Sequence, residues 1–78
     1  MATKVSGLTQ LIKIETPTGN KYYNKNWVSV EFRGPDVLIG NELQEEVVTI
    51  ALTDFQDGAG TPITTEDTIA AYVGGLLV

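Results

Sequence analysis

The alternation of apolar and polar residues over positions 27–32 constrains the fold of this chain more than any other sequence feature. Val28, Val30 and Phe32 fall on one side of an extended segment, and the residues between them fall on the other. Side chains repeat every two residues in a β-strand, whereas a helix repeats every 3.6. We therefore predict a strand with one buried and one solvated face, which is typical of an antiparallel sheet.

Strand-forming composition recurs along the first 55 residues and is interrupted by turn signals. In the turn Thr16–Asn20, Pro17 presets a negative φ and Gly19 tolerates a positive one, and Arg33–Asp36 forms a second tight turn. The intervening segments predict strands at residues 10–15, 21–26, 37–39 and 47–53, with the last preceded by an acidic loop over 42–46. Residues 21–26 and 27–32 are either two short strands or one long, bulged strand.

The period changes in the C-terminal segment, which favours a helix. Thr64 or Thr65 can cap its N-terminus, and Glu66 and Asp67 fit the first turn because negative charge complements the helix dipole. Apolar residues then recur with helical spacing at Ile69, Tyr72, Val73, Leu76 and Leu77. The pair Gly74–Gly75 weakens this helix, and if it ends there, residues 76–78 form an extended apolar terminus.

These patterns together predict a β-dominated domain, either all-β or a small α+β domain. We expect an antiparallel sheet, roll or open barrel of about four or five strands with a short C-terminal helix. Residues 1–7 are small and polar and predict a flexible N-terminal arm, and residues 8–78 form the single domain.

The chain has few internal means of stabilising so small a core. A domain of 78 residues rarely obtains more than about 3–5 kcal/mol from its core alone. The sequence contains no cysteine and no histidine, which excludes disulfides and the commonest metal ligand. We therefore predict protein partners, as a homo-oligomer or as part of a larger assembly.

The charge balance disfavours two classes of partner. Ten acidic residues against five basic ones give a net charge of −5. Nucleic acids and anionic membranes both bind chiefly through Lys and Arg. We expect neither to be a partner.

No residue constellation predicts catalysis, and we expect a protein that is not an enzyme and uses no cofactor or metal. Ser6 and Ser29 have no histidine to activate them. Two groups of carboxylates are candidates for acid–base work, but each has a simpler interpretation: Glu42, Glu45 and Glu46 as a solvated loop, and Asp54 with Asp57 as a turn. A weak calcium site at residues 54–60 is the alternative for the second group.

Two segments are candidates for a protein interface. Tyr22, Tyr23 and Trp27 lie in the stretch richest in aromatic and basic residues, although core packing explains one of the tyrosines. Sugar or single-stranded nucleic acid binding is the weaker alternative for these aromatics. The apolar end, Leu76, Leu77 and Val78, either packs on its own sheet or docks on a neighbour.

In general style the chain resembles small structural proteins of tailed-phage virions, such as head decoration or auxiliary proteins. The resemblance is carried by residues 8–15, the turn at 17–20, the strand at 28–32 and the tail at 64–78. It implies a virion protein present in many copies on a capsid shell and bound through apolar strands and termini, without chemistry. No functional residue is carried over from it.

The alternative is a small cytoplasmic protein-binding module or inhibitor. Its acidic residues (Glu42, Glu45, Glu46, Asp54 and Asp57) would meet a basic partner and could act as a nucleic-acid mimic. Such binding weakens steeply with ionic strength, whereas apolar contacts persist, so salt separates the two hypotheses.

Overall fold

The computed structural model describes residues 2–78 and confirms a β-dominated fold with one C-terminal helix. Within residues 2–78, seven strands form two open sheets, which is more strands than the sequence predicted, and they close no barrel. The strands are β1 Thr3–Gly7, β2 Leu11–Thr16, β3 Gly19–Asn24, β4 Val28–Arg33, β5 Asp36–Asn41, β6 Glu46–Ala51 and β7 Phe55–Gln56. The helix α1 spans Glu66–Leu76, and two 3₁₀ helices span Lys25–Trp27 and Leu52–Asp54.

The first sheet has the order β3–β2–β1–β7, so the prediction of a flexible N-terminal arm is wrong for residues 3–7, while Met1 lies outside the described residues. Residues 3–7 form a central strand that pairs antiparallel with β2 and parallel with β7, and Val5 is fully buried. The alternation in this strand is short: Thr3 and Val5 are buried, whereas Lys4 and Ser6 are only half-buried. So polar a segment is a strand because it pairs with a neighbouring strand on each side, β2 and β7.

The predicted hairpin at Thr16–Asn20 is confirmed and joins β2 to β3. Thr16 pairs with Gly19, whose φ of +137° is accessible only to glycine without strain. Ile12 and Ile14 are completely buried, as the alternation in residues 10–15 predicted.

The second sheet has the order β4–β5–β6 and is antiparallel throughout. The question of one bulged strand or two is decided in favour of two, because β3 and β4 belong to different sheets. The 3₁₀ helix between them begins where the Asn24 carboxamide oxygen accepts a hydrogen bond from the Asn26 N–H at 2.8 Å. Gly34, at φ +62°, turns β4 into β5.

The core lies between the two sheets, and α1 packs against it through Ile69 and Val73. The predicted helix start is confirmed: Thr65 is the N-cap, and its hydroxyl accepts a hydrogen bond from the Thr68 N–H at 3.3 Å. The helix continues through Gly74–Gly75 and ends at Leu76. Over residues 2–78 no helix has the length and apolar character needed to cross a membrane.

Candidate protein-interaction surface

The solvent-exposed side of α1 is almost free of polar side chains after its first turn. Ile69 and Val73 face the core, and the residues exposed on the other side are Ala70, Ala71, Gly74, Gly75 and, just past the helix, Val78. A surface helix of a soluble domain normally carries charged or polar residues opposite its buried stripe. The second half of α1 is thus apolar or small on both sides, which is typical of a helix covered on both sides.

Beside this helix an apolar groove of about 280 Å³ separates α1 from the edge strand β4. It is open because Ala70 and Gly74 have too little side chain to fill it, and a Cβ built on Gly74 would meet nothing within 4 Å. We call this groove and its walls the β4–α1 surface; it is formed by Val30, Phe32, Ala70, Val73, Gly74 and Leu77.

The structure places part of the predicted interface next to this surface. Leu77 belongs to it and also lines a second depression of about 290 Å³, together with Val78 and residues 24–26. Residues 25 and 26 directly precede Trp27 in the same 3₁₀ helix. Trp27 is 45% exposed and Val78 is fully exposed, whereas Leu76 and Leu77 are half-buried against the core. The C-terminal end and the Trp27 segment therefore lie at one end of the molecule.

The two predicted tyrosines do not join this region. Tyr22 is 48% exposed on the outer face of the first sheet, where it pairs with Lys13 of β2. Tyr23 is 1% exposed and belongs to the core, so its assignment to an interface is wrong. Adjacent residues of a strand point to opposite sides, so only one of the two can be on the surface.

The Tyr23 hydroxyl is buried without a hydrogen-bond partner within residues 2–78. Burial is the main cause that raises the pKa of this phenol above 10.0, and the negative charge of Glu46 raises it further. The Tyr23 phenol is therefore buried and neutral at physiological pH. It adds to the core but takes no part in the β4–α1 surface.

The acidic residues at the turn between β5 and β6 form a solvated rim. The Asn41 carboxamide oxygen accepts a hydrogen bond from the Leu43 N–H at 3.0 Å and orders this turn. Glu42 and Glu45 are exposed, and Glu46 forms an ion pair with Lys21 at 3.8 Å. In the described part of the chain no group of three or more acidic, cysteine or histidine side chains is arranged to hold a metal ion.

The loop after β7 is a turn organised by Asp57. One oxygen of its carboxylate accepts hydrogen bonds from the Ala59 and Thr61 N–H groups, both at 2.9 Å. The Tyr72 hydroxyl accepts a hydrogen bond from the Gly58 N–H at 2.8 Å and donates one to the Val5 carbonyl at 2.7 Å. These contacts give Asp57 and Tyr72 structural roles in joining loop, helix and sheet.

Five residues of the β4–α1 surface were not identified from the sequence as binding residues: Val30, Phe32, Ala70, Val73 and Gly74. Alternation predicted that Val30 and Phe32 face inward, but not that the open edge of β4 leaves them half-exposed. A signal was present in the helix, where small residues recur at positions 70, 71, 74 and 75 on the side away from Ile69.

Comparison with protein-family models finds no match for this chain, and searches of the curated proteins and of the solved structures likewise find none.

Proposed function

We propose that this protein is a non-enzymatic structural or assembly protein that binds identical copies of itself, or a larger protein shell, through the β4–α1 surface. The observation that carries the proposal is the second half of α1, which is apolar or small both towards the core and towards solvent. The sequence resemblance supports a bacteriophage virion as the setting, with this protein as a decoration or auxiliary component of the capsid.

The energetic argument concerns the apolar side chains that the fold leaves half-covered. Complete burial of a Val, Leu or Phe side chain contributes about 1.5–3 kcal/mol relative to full exposure. Val30, Phe32 and Leu77 are each only partly buried on the isolated chain. A partner that covers the remainder adds an amount comparable with the roughly 3–5 kcal/mol available from a core of this size.

The distribution of charge also favours this surface over the rest of the molecule. None of the residues that form it is charged, although the chain carries a net charge of −5. Two acidic copies repel each other least where their contact patches carry no net charge.

The test is the mass of the purified protein in solution by sedimentation, compared between two matched glutamate variants of α1. Ala70 and Ala71 are both exposed, but only Ala70 lines the groove. We expect Ala70→Glu to dissociate the wild-type oligomer, because it places a charge where an apolar partner packs. Ala71→Glu should leave the oligomer intact.

A wild-type protein that sediments as a monomer at every concentration would contradict self-association. Equal dissociation by both variants would show that the contact lies elsewhere on the helix.

The alternative function is an acidic module that binds a basic protein and could act as a nucleic-acid mimic, and the exposed turn between β5 and β6 favours it. Glu42 and Glu45 project there without an ion pair between them and any described basic residue. Raising the salt concentration from 0.05 to 0.5 M, about a threefold fall in Debye length, would release such a partner. Assembly through the β4–α1 surface would persist, and this difference separates the two functions.

A further inference from the structure

We infer that the partner at the β4–α1 surface is a second copy of this chain, paired antiparallel through β4 about a two-fold axis at Val30. The two three-stranded sheets then become one sheet of six strands. This inference rests on the proposed function and makes it specific, since it names the partner and the register of the contact.

The backbone of β4 offers an open edge for such pairing. Within residues 2–78 this strand pairs only with β5. The Glu42 N–H donates to the Trp27 carbonyl at 2.9 Å, so odd-numbered residues here direct their backbone groups at β5. Alternation then directs the N–H and C=O groups of Val28, Val30 and Phe32 at the open edge. An edge of this kind is a template for another strand.

The other long edges carry a feature that β4 lacks. Lys21 of β3 stands opposite the buried Ile14, and Glu46 of β6 stands opposite the buried Asn41, so both charges lie on the core-facing side of an edge strand, although each side chain is still nearly half exposed. Their side chains form an ion pair at 3.8 Å across the two sheets. Inward-pointing charges protect an edge against pairing with another chain. The inner face of β4 carries only valine and phenylalanine.

The sequence of β4 is complementary to itself about Val30. In that register Val28 of one copy lies opposite Phe32 of the other, and Ser29 lies opposite Glu31. Trp27 lies opposite Arg33, a pair suited to a cation–π contact. Moving the axis to Glu31 would place two carboxylates directly opposite each other, and moving it to Ser29 would leave Phe32 without an apolar partner.

The same arrangement explains the small residues of α1. A two-fold axis perpendicular to the joined sheet keeps both copies of α1 on the same side of it. Each groove then opens towards the groove of the other copy across the axis. Its walls are Val30 and Phe32 on one side and Ala70 and Gly74 on the other. Within β4, Glu31 and Arg33 form an ion pair at 2.6 Å, so the strand brings no net charge to the contact.

The experiment uses single cysteines in a chain that naturally has none. In the proposed register the two Val30 Cα atoms lie about 5.5 Å apart, within the range of about 4.4–6.8 Å that a disulfide spans. Val30→Cys is compared with Val47→Cys; Val47 lies on the other edge strand of the same sheet and is 59% exposed. Random collisions would therefore favour the control.

Under mild oxidation at low protein concentration we expect Val30→Cys to form covalent dimer roughly tenfold faster than Val47→Cys, because pairing raises the effective thiol concentration. Equal rates would overturn the inference. A faster reaction of Ser29→Cys or Glu31→Cys than of Val30→Cys would overturn the register.

Failure of this inference can be told apart from failure of the proposed function. If Ala70→Glu dissociates the oligomer but Val30→Cys reacts no faster than its control, assembly through the β4–α1 surface stands and strand pairing falls. If the wild-type chain is a monomer at all concentrations, strand pairing and self-association both fall, and of the proposed function only binding to a larger protein shell is left. A charge at the open edge gives the noncovalent check: Val30→Lys should dissociate the oligomer, and Val47→Lys should not.

Discussion

Three tyrosines show how strongly the environment of one residue decides its role. Tyr22 is exposed beside Lys13, while Tyr23 is in the core with a hydroxyl that lacks a partner in the described chain. Tyr72 uses its hydroxyl twice, towards Gly58 and Val5. A buried hydroxyl without a partner loses its hydration, whereas one that makes two hydrogen bonds recovers it.

The same Tyr→Phe substitution should therefore change the free energy of unfolding in opposite directions at two positions. Tyr23→Phe removes an unsatisfied group and should raise it by up to about 1 kcal/mol, while Tyr72→Phe removes two hydrogen bonds and should lower it by about 1–2 kcal/mol. Urea denaturation measures both values. Tyr22→Phe is the matched control and should leave stability unchanged; a loss of stability in Tyr23→Phe would indicate an unseen partner for its hydroxyl.

At the scale of elements, α1 is a helix that tertiary packing maintains although the helix propensity of its last turns is low. Two consecutive glycines lie in its last turns, and each is unfavourable in a helix interior because an unfolded glycine has more conformational freedom than other residues. Ile69 and Val73 anchor the helix on the core, and the Thr65 cap fixes its start. Tertiary contacts thus keep the helix intact to Leu76.

Gly75→Ala should stabilise the protein by about 0.5–1 kcal/mol. Its Cβ would meet no atom within 4 Å, so the added methyl meets no steric obstacle. Gly75 also lies outside the groove, and the oligomer should therefore be retained in sedimentation. Thermal unfolding measures the gain, with Gly34→Ala as the contrasting variant; it should destabilise because Gly34 has a φ of +62°. An unstable Gly75→Ala protein would mean that a partner contacts this position.

At the scale of the whole molecule, the two sheets and the helix share one small core, so any group buried in it affects global unfolding. Burial is the largest cause that raises the pKa values of both Tyr23 and Tyr72 above 10.0. At Tyr72 the charge of Asp57 raises the pKa further, and the hydrogen bond from the Gly58 N–H opposes the shift. Both phenols hold their protons more tightly in the folded chain than in the unfolded chain.

The contribution of these two phenols to the free energy of unfolding should consequently be constant below about pH 10. It should fall as the pH rises beyond that value. The sign follows because the folded state binds more protons than the unfolded state in that range, and deprotonation then favours unfolding. Denaturation curves collected between neutral and strongly alkaline pH measure the slope. Tyr23→Phe should flatten this slope relative to the wild-type chain, and an unchanged slope would contradict this origin.

Much of the fold follows from the local pattern of the sequence. The alternation of Val28, Val30 and Phe32, the turn at Thr16–Asn20 and the Thr65 cap each specify their element through sterics or hydrogen bonds within a few residues. The β-dominated class with a C-terminal helix could thus be predicted. The absence of cysteine and histidine also follows directly from the sequence, and with it the expectation that this small core needs a neighbour.

Only the tertiary structure decided which sheet each strand joins and which side chains remain accessible. Residues 3–7 become a central strand because β2 and β7 supply their hydrogen bonds, and Tyr23 is buried because its side of β3 faces the core that residues of both sheets form. The β4–α1 surface joins residues 30 and 32 to residues 70–77, which no local pattern connects. Local preferences select elements, but the position of an open edge depends on contacts between residues far apart in the chain.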